Sequence, residues 1–296
     1  MFISIGNFSA NIADRLSLVS DIHKFTKQSL NVSRYLSMKE WEELFDLDDD
    51  ILIVNLDILR EKKSVFIILD LDEEISGISL RLVEYIKKIN PSIHIYMMLI
   101  IKDKKSLTKE RVQNQNLNLL VWQEIARCGE ISRTFLIDLS LVITKFKISL
   151  RNFEKTVSDS VSKIVQNCIF ILESDPLYGV KFNTDEIRRI STFGVLMSSD
   201  LNNLNEEFFF YLFNEKFEGD SVHKKSNLST NVFTQKHYIF YLNEEELSDG
   251  DNTLSKINSL LDSKGRNCSY SIYESGATNS VYYIIKSTSY VELPKE

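Results

Sequence analysis

Apolar positions along this chain fall into short runs and helical stripes that alternate. Phe2 to Ile5 reads as a short buried strand, and Asn11 to Val19 carries apolar residues at helical spacing directly after the turn that follows it. Ser37-Met38-Lys39-Glu40 is a capping box leading into Trp41 to Phe45, and Asp48-Asp49-Asp50 ends that helix before a strand at Ile51 to Val54. Val65 to Leu69 is the strongest strand. Leu80, Leu82, Val83, Ile86 and Ile89 mark a helix stopped by Asn90-Pro91, after which come a strand at Ile93 to Ile101, a helix at Leu107 to Ile125 and a strand at Phe135 to Leu139. Strands alternating with helices predict a doubly wound parallel sheet covered on both faces, with its ligand crevice at the carboxyl ends of the strands.

From Leu150 to Leu172 the apolar positions Phe153, Val157, Val161, Ile164, Val165, Cys168 and Ile171 keep one helical face, which predicts a long buried helix. Helices are expected at Asp185 to Met197 and at Glu206 to Phe213, followed by a polar loop from Asn214 to Lys236 that is a candidate interaction segment. The remaining order is strand (Tyr238 to Leu242), helix (Leu254 to Leu261), strand (Cys268 to Tyr273), turn at Gly276 and strand (Val281 to Lys286), a smaller α+β unit. The expected organisation is an α/β domain over 1–149, a central helix over 150–173 and a smaller α+β domain over 174–296.

With 43% hydrophobic residues in 296, the chain has enough apolar surface for a substantial core. Its net charge of −7 is spread without a basic face, which argues against nucleic-acid binding. The three cysteines and four histidines are isolated, so neither a disulfide framework nor a zinc site is suggested. No leader is read at Met1 and no apolar run reaches the length of a membrane span, so the expectation is a cytoplasmic protein.

Gly6-Asn7-Phe8-Ser9-Ala10-Asn11-Ile12-Ala13-Asp14 is similar to a phosphate loop of the form G-Q-A-G-G-N-I-A-D, with Ser9 and Ala10 where glycines are expected. Val65 to Lys88 is similar to a strand, a G-G-G-T-G-S-G loop and a helix, of which only Ser76 and Gly77 survive in the loop. Arg188 to Met197 resembles a helix that follows a catalytic loop. These pieces, with the order of domains, resemble the tubulin/FtsZ superfamily over nearly the whole chain. That resemblance implies a GTP site at Gly6, Asn7, Ser9, Ala10, Asn11, Ser76 and Gly77. It also implies a base reader at Phe153 and Val157, or at Ser158 or Asp159 with a one-residue shift, and hydrolytic residues near Asn183, Asp185 and Glu186.

The departures are chemical. A triphosphate is held by backbone N–H groups that it reaches only where side chains are absent, so glycine is required there. The signature position instead carries Asp70, Asp72, Glu73 and Glu74. A carboxylate about 4 Å from a phosphate costs on the order of 4 kcal/mol at an effective dielectric near 20. These acids read as a solvated turn, or alternatively as oxygen ligands with Ser76 for Mg²⁺ or Ca²⁺. Val157 cannot hydrogen-bond a base, Asn183 cannot act as a base, and Asn183-Thr184-Asp185 also reads as a helix cap.

The expected function is therefore a catalytically inactive tubulin/FtsZ-like assembly protein, a pseudo-GTPase without cofactor. It would act through protein–protein contacts and head-to-tail self-association, as a phage filament or virion-assembly factor in the host cytoplasm or virion. The alternative is an active, filament-forming GTPase that binds GTP with Mg²⁺ through a remodelled, metal-bridged loop.

Overall fold

The computed structural model describes residues 1–16, 22–25, 56–128, 131–146, 150–182, 190–196, 209–211, 235–262, 268–275 and 280–288. The parallel half is built from β1 (Phe2–Ile5), α1 (Asn7–Ala13), β2 (Ile22–Phe25), β3 (Ser64–Asp70), α2 (Ile78–Ile89), β4 (His94–Ile101), α3 (Lys109–Cys128), β5 (Arg133–Asp138) and α4 (Leu139–Phe146). The long helix α5 (Phe153–Glu173) follows. Beyond it lie β6 (Tyr178–Gly179), β7 (Ile190–Leu196), β8 (Phe209–Tyr211), β9 (Gln235–Leu242), α6 (Glu244–Ser248), α7 (Gly250–Asp262), β10 (Cys268–Glu274) and β11 (Val281–Thr288).

The strands form one sheet in the order β2-β1-β3-β4-β5-β7-β11-β9-β10-β6, with β8 on β7. Pairing is parallel from β2 through β7, antiparallel from β7 to β11 and β9, and parallel again between β9 and β10. Chain order reverses between β1 and β3, so a topological switch point opens beyond their carboxyl ends, where doubly wound sheets take their ligands.

Alternate residues of each parallel strand feed two different cores, as a sheet covered on both faces requires. Phe66 and Ile68 of β3 and Tyr96, Met98 and Ile100 of β4 pack with Ile12 and Ala13 of α1 and Val157, Val161 and Val165 of α5. Val65, Ile67 and Leu69 with Ile95, Met97 and Leu99 pack instead against Leu82, Val83 and Ile86 of α2 and Leu119 and Trp122 of α3.

Helix α5 runs from the carboxyl end of the parallel strands, where Asp159 pairs with Arg15 at 2.6 Å, to their amino end, where Ser64 donates to Glu173 at 2.8 Å. Its second face meets an aromatic seam of the other half. Phe170 lies 5.8 Å from Tyr241 and 5.4 Å from Tyr273, and Asn167 donates to the Tyr283 hydroxyl at 2.5 Å. At the end of this seam His237 is bracketed by the hydroxyls of Ser269 at 2.7 Å and Ser271 at 2.9 Å, with the Phe182 ring edge-on at 5.2 Å. Burial, reinforced by Arg133, pushes its ring down to about 3 and keeps it neutral. The far side of β9 and β10 is covered by α7 through Ile257.

Two expectations are corrected. Ile190 to Leu196, read as the C-terminal part of a helix, is strand β7. Ile190, Thr192 and Val195 are β-branched and Gly194 disfavours a helix, and the segment's backbone is paired on one side by β5 and on the other by β11. Phe209 to Tyr211, read as helix, is strand β8 pairing with β7. Helix α1 begins at Asn7 rather than at Asn11, and β2, α4, β6 and α6 were not anticipated. The readings at 37–54, at 185–189, over most of 206–236 and at Gly276 lie outside the described residues.

Candidate functional site

The switch point is filled by the chain's own side chains. An α-helix begins with backbone N–H groups that have no partner inside the helix, and these with the helix dipole make an anion site. In α1 each of the first three is answered by a carboxylate from the last residue of β3 or from the turn that follows it. Asn7 N–H donates to Glu73 Oε2 at 3.2 Å, Phe8 N–H to Asp70 Oδ2 at 2.8 Å and Ser9 N–H to the same oxygen at 3.3 Å. The Ser9 hydroxyl donates to Asp70 Oδ1 at 2.5 Å, and the Asn7 amide reaches both Glu73 oxygens at 3.3 Å.

Gly6 makes this approach possible. Its φ of +112° favours glycine, and a Cβ there would stand 2.5 Å from Asp70 Oδ2. The residues that resembled a phosphate loop are therefore helix: Asn7, Ser9, Ala10 and Asn11 all belong to α1. Ser76 and Gly77 lie in the single 3-10 turn, Glu74–Gly77, that runs into α2. Ser76 is buried and its hydroxyl donates to the Asp70 carbonyl, while Gly77 has ordinary right-handed backbone angles.

Cations from the neighbouring strand and helix close the cluster. Lys102, the residue after β4, places Nζ 2.9 Å from Asp72 Oδ1 and 3.9 Å from Asp70 Oδ2, and 5.8 Å from the centre of the Phe8 ring. Arg111, in the first turn of α3, pairs closely with Asp72 and lies 3.7 Å from Glu73 Oε1. Gln115 clamps the Lys102 backbone, accepting from its N–H at 2.8 Å and donating to its carbonyl at 3.1 Å. Asn118 fixes the turn by donating to the Leu71 carbonyl at 2.8 Å.

The solvated-turn reading is thereby overturned for three of the four acids: Asp70 and Asp72 are fully buried and Glu73 nearly so, while Glu74 is exposed. Asp70 is pushed up to about 6, chiefly by burial, with Lys102 pulling it down, Glu73 pushing it up, Ser9 pulling it down through its hydrogen bond and Asp72 pushing it up. Each buried acid faces Lys102, Arg111 or the α1 backbone. Among the described residues no group of three acid, His or Cys side chains converges to hold a metal ion.

The base-reader positions serve the protein interior. Phe153 opens α5 and packs against the core, Val157 lies within it, and Ser158 is buried. Asp159 is engaged by Arg15. Asn183, Asp185 and Glu186 lie outside the described residues. Lys102, Arg111 and Gln115 were missed in the sequence. A signal existed, because Lys102 directly follows the strand next to the acid-bearing one.

No family model matches the chain, and no curated protein matches it in sequence. Solved structures do match over almost its whole length. TubZ of Bacillus thuringiensis serovar israelensis, a GTPγS-form protofilament, has a TM-score of 0.64 at 13% identity, covering 99% of this chain and 87% of that one. A TubZ-Bt two-stranded filament has a TM-score of 0.61 at 13% identity, covering 99% and 85%. The empty FtsZ dimer of M. jannaschii has a TM-score of 0.64 at 12% identity, covering 97% and 88%. The likeness is one of architecture rather than of sequence, and it spans both halves and the helix between them: this chain has the tubulin/FtsZ fold.

Proposed function

We propose that this chain is a nucleotide-independent, tubulin/FtsZ-like assembly protein that acts through protein–protein contacts, including head-to-tail contact between copies. One observation carries the reading: the N–H groups at the start of α1 are satisfied by Asp70 and Glu73, and those carboxylates lie respectively 3.9 Å from Lys102 Nζ and 3.7 Å from the Arg111 guanidinium. A phosphate entering there would have to displace an anion tethered to the fold. The protofilament, two-stranded filament and dimer states of its structural neighbours support self-association. We propose a division at 1–149, 150–173 and 174–296, with the long helix α5 (Phe153–Glu173) as its middle segment. A phage-borne filament or virion-assembly factor working in a host cytoplasm fits this reading, and among the described residues no helix is long and apolar enough to cross a membrane.

Isothermal titration with GTP and Mg²⁺ tests the proposal alongside negative-stain microscopy of the chain without nucleotide. The expected result is no heat of binding together with nucleotide-free polymers. Micromolar GTP binding that is lost on Glu73→Ala would overturn it in favour of a metal-bridged GTPase.

A further inference from the structure

The buried cluster at the head of α1 is not balanced in charge. Asp70 and Asp72 are fully buried and Glu73 nearly so, and among the described residues these three carboxylates share two cations, Lys102 and Arg111. With all three ionised, one negative charge is left over where water scarcely reaches, and a buried charge without a counter-ion is costly. The groups that face Asp70 decide which acid relieves the excess. From α1 come the uncharged N–H groups of Phe8 at 2.8 Å and Ser9 at 3.3 Å, with the Ser9 hydroxyl at 2.5 Å. From the turn after β3 come Asp72 and Glu73, which both oppose its charge. The Ser76 hydroxyl, in the 3-10 turn before α2, donates to the Asp70 backbone carbonyl. Lys102, beyond β4, stands 3.9 Å from Asp70 and 2.9 Å from Asp72, while Arg111 of α3 is engaged by Asp72 and, at 3.7 Å, by Glu73. Of the three acids Asp70 has the most distant cation, and it is the one that burial pushes up to about 6.

We infer that this cluster is a one-proton switch: in mild acid Asp70 takes up the balancing proton, Ser9 turns from donor to acceptor, and the rim formed by Asn7, Glu74 and Arg111 becomes one charge more positive. The hydrogen bonds fit both states. Oδ2 of Asp70 is held by two N–H donors, whereas Oδ1 meets a hydroxyl, which accepts as well as it donates. A proton from solvent bonds to Oδ1 and is donated to Ser9 Oγ, the Ser9 hydrogen turns away, and both N–H bonds to Oδ2 remain. The switch therefore changes charge and leaves the docking of α1 in place. The inference rests on the self-association reading above and gives it a regulator. Copies of net charge −7 repel, so a proton taken up at one end of the sheet favours contact between them. One proton bound per contact strengthens association by up to about tenfold for each pH unit of acidification.

The test uses the full chain with carbon-13-labelled aspartate. The Asp70 carboxyl resonance, identified by its loss in Asp70→Asn, is expected to titrate with a midpoint of about 6, and Glu73→Gln, which leaves two acids against two cations, to bring that midpoint down towards 3.8. A wild-type midpoint in the ordinary carboxylate range, or one that Glu73→Gln does not lower, overturns the inference. Sedimentation at about pH 7.5 and about pH 5.5 reads the consequence. The wild type is expected to associate more strongly in acid. Asp70→Asn, whose amide donates to Ser9 and accepts from the two N–H groups as the protonated acid does, is expected to associate at the higher pH as the wild type does at the lower. Equal pH dependence in the two chains overturns the regulatory role. A midpoint of about 6 in a chain that associates at neither pH keeps the proton switch and removes the self-association reading.

Discussion

Two regions of this molecule bury polar chemistry, and they do so in opposite ways. At the carboxyl ends of β1 and β3, three acids, two cations and a helix N-terminus are held together as charges. In the seam between α5 and the mixed half, His237 and tyrosines 241, 273 and 283 are held neutral: burial pushes the imidazole down and the phenols up. The charged cluster depends on every partner being present. The neutral seam depends on packing, and losing one hydrogen bond there leaves the rest standing. A buried pair broken from one side is costly because a charge remains without compensation, whereas a neutral group forfeits only its own bond.

The largest effect that sharpens this contrast is expected from Lys102→Met, which keeps the side-chain stem and removes the charge facing Asp70 and Asp72. Urea unfolding should show a loss of about 4 kcal/mol. A loss below about 1 kcal/mol, the range of an exposed pair, would mean that the acids are hydrated after all.

Next in size is a pair of opposed pH effects. Asp70 has a folded value of about 6 against 3.8, so the native state holds its proton longer than the unfolded chain, and its contribution to stability falls as pH rises from about 4 to 6. Asp70→Asn should therefore gain on the wild type by about 3 kcal/mol across that window. His237 has the reverse sign: with a folded value near 3 against 6.5, its contribution is complete above pH 6.5 and is lost as pH falls towards 3. His237→Gln should lose ground against the wild type as pH rises through the same window, by up to about 1.4 kcal/mol per pH unit. Unfolding of the three chains at a series of pH values reads both slopes, and equal slopes of one sign would erase the distinction between the regions.

The smallest effect is expected from Tyr283→Phe, which removes the acceptor of the Asn167 amide. The cost should be about 1 kcal/mol and constant between pH 5 and 8, measured by the same denaturant titration.

The fold was legible where periodicity was long. The alternation that builds β3, α2, β4, α3 and β5 and the stripe of α5 gave the parallel sheet and central helix with boundaries displaced by a few residues. It failed at Ile190 to Leu196, where a short apolar run suits either period and the flanking strands β5 and β11 decide. The site was half legible. Asp70, Asp72 and Glu73 stand together in sequence, and the negative charge they bring to the loop could be read directly. Their burial could not, because it depends on Lys102 and Arg111, which come from β4's end and the start of α3 and reach the acids only through the parallel register of β3 and β4. Local sequence shows a cluster of like charges and not the partners that make it tolerable.

Gly6 admits Asp70 to the head of α1, and this has a consequence for the kinetics of any polymer the chain forms. If, as proposed, no nucleotide enters beside that carboxylate, a subunit carries no fuel and keeps no record of its age. Under the proposed reading, growth and shrinkage at both ends share one critical concentration. Length then follows supply of subunits and of capping partners, and the polymer is one that turns over by dilution rather than by a clock.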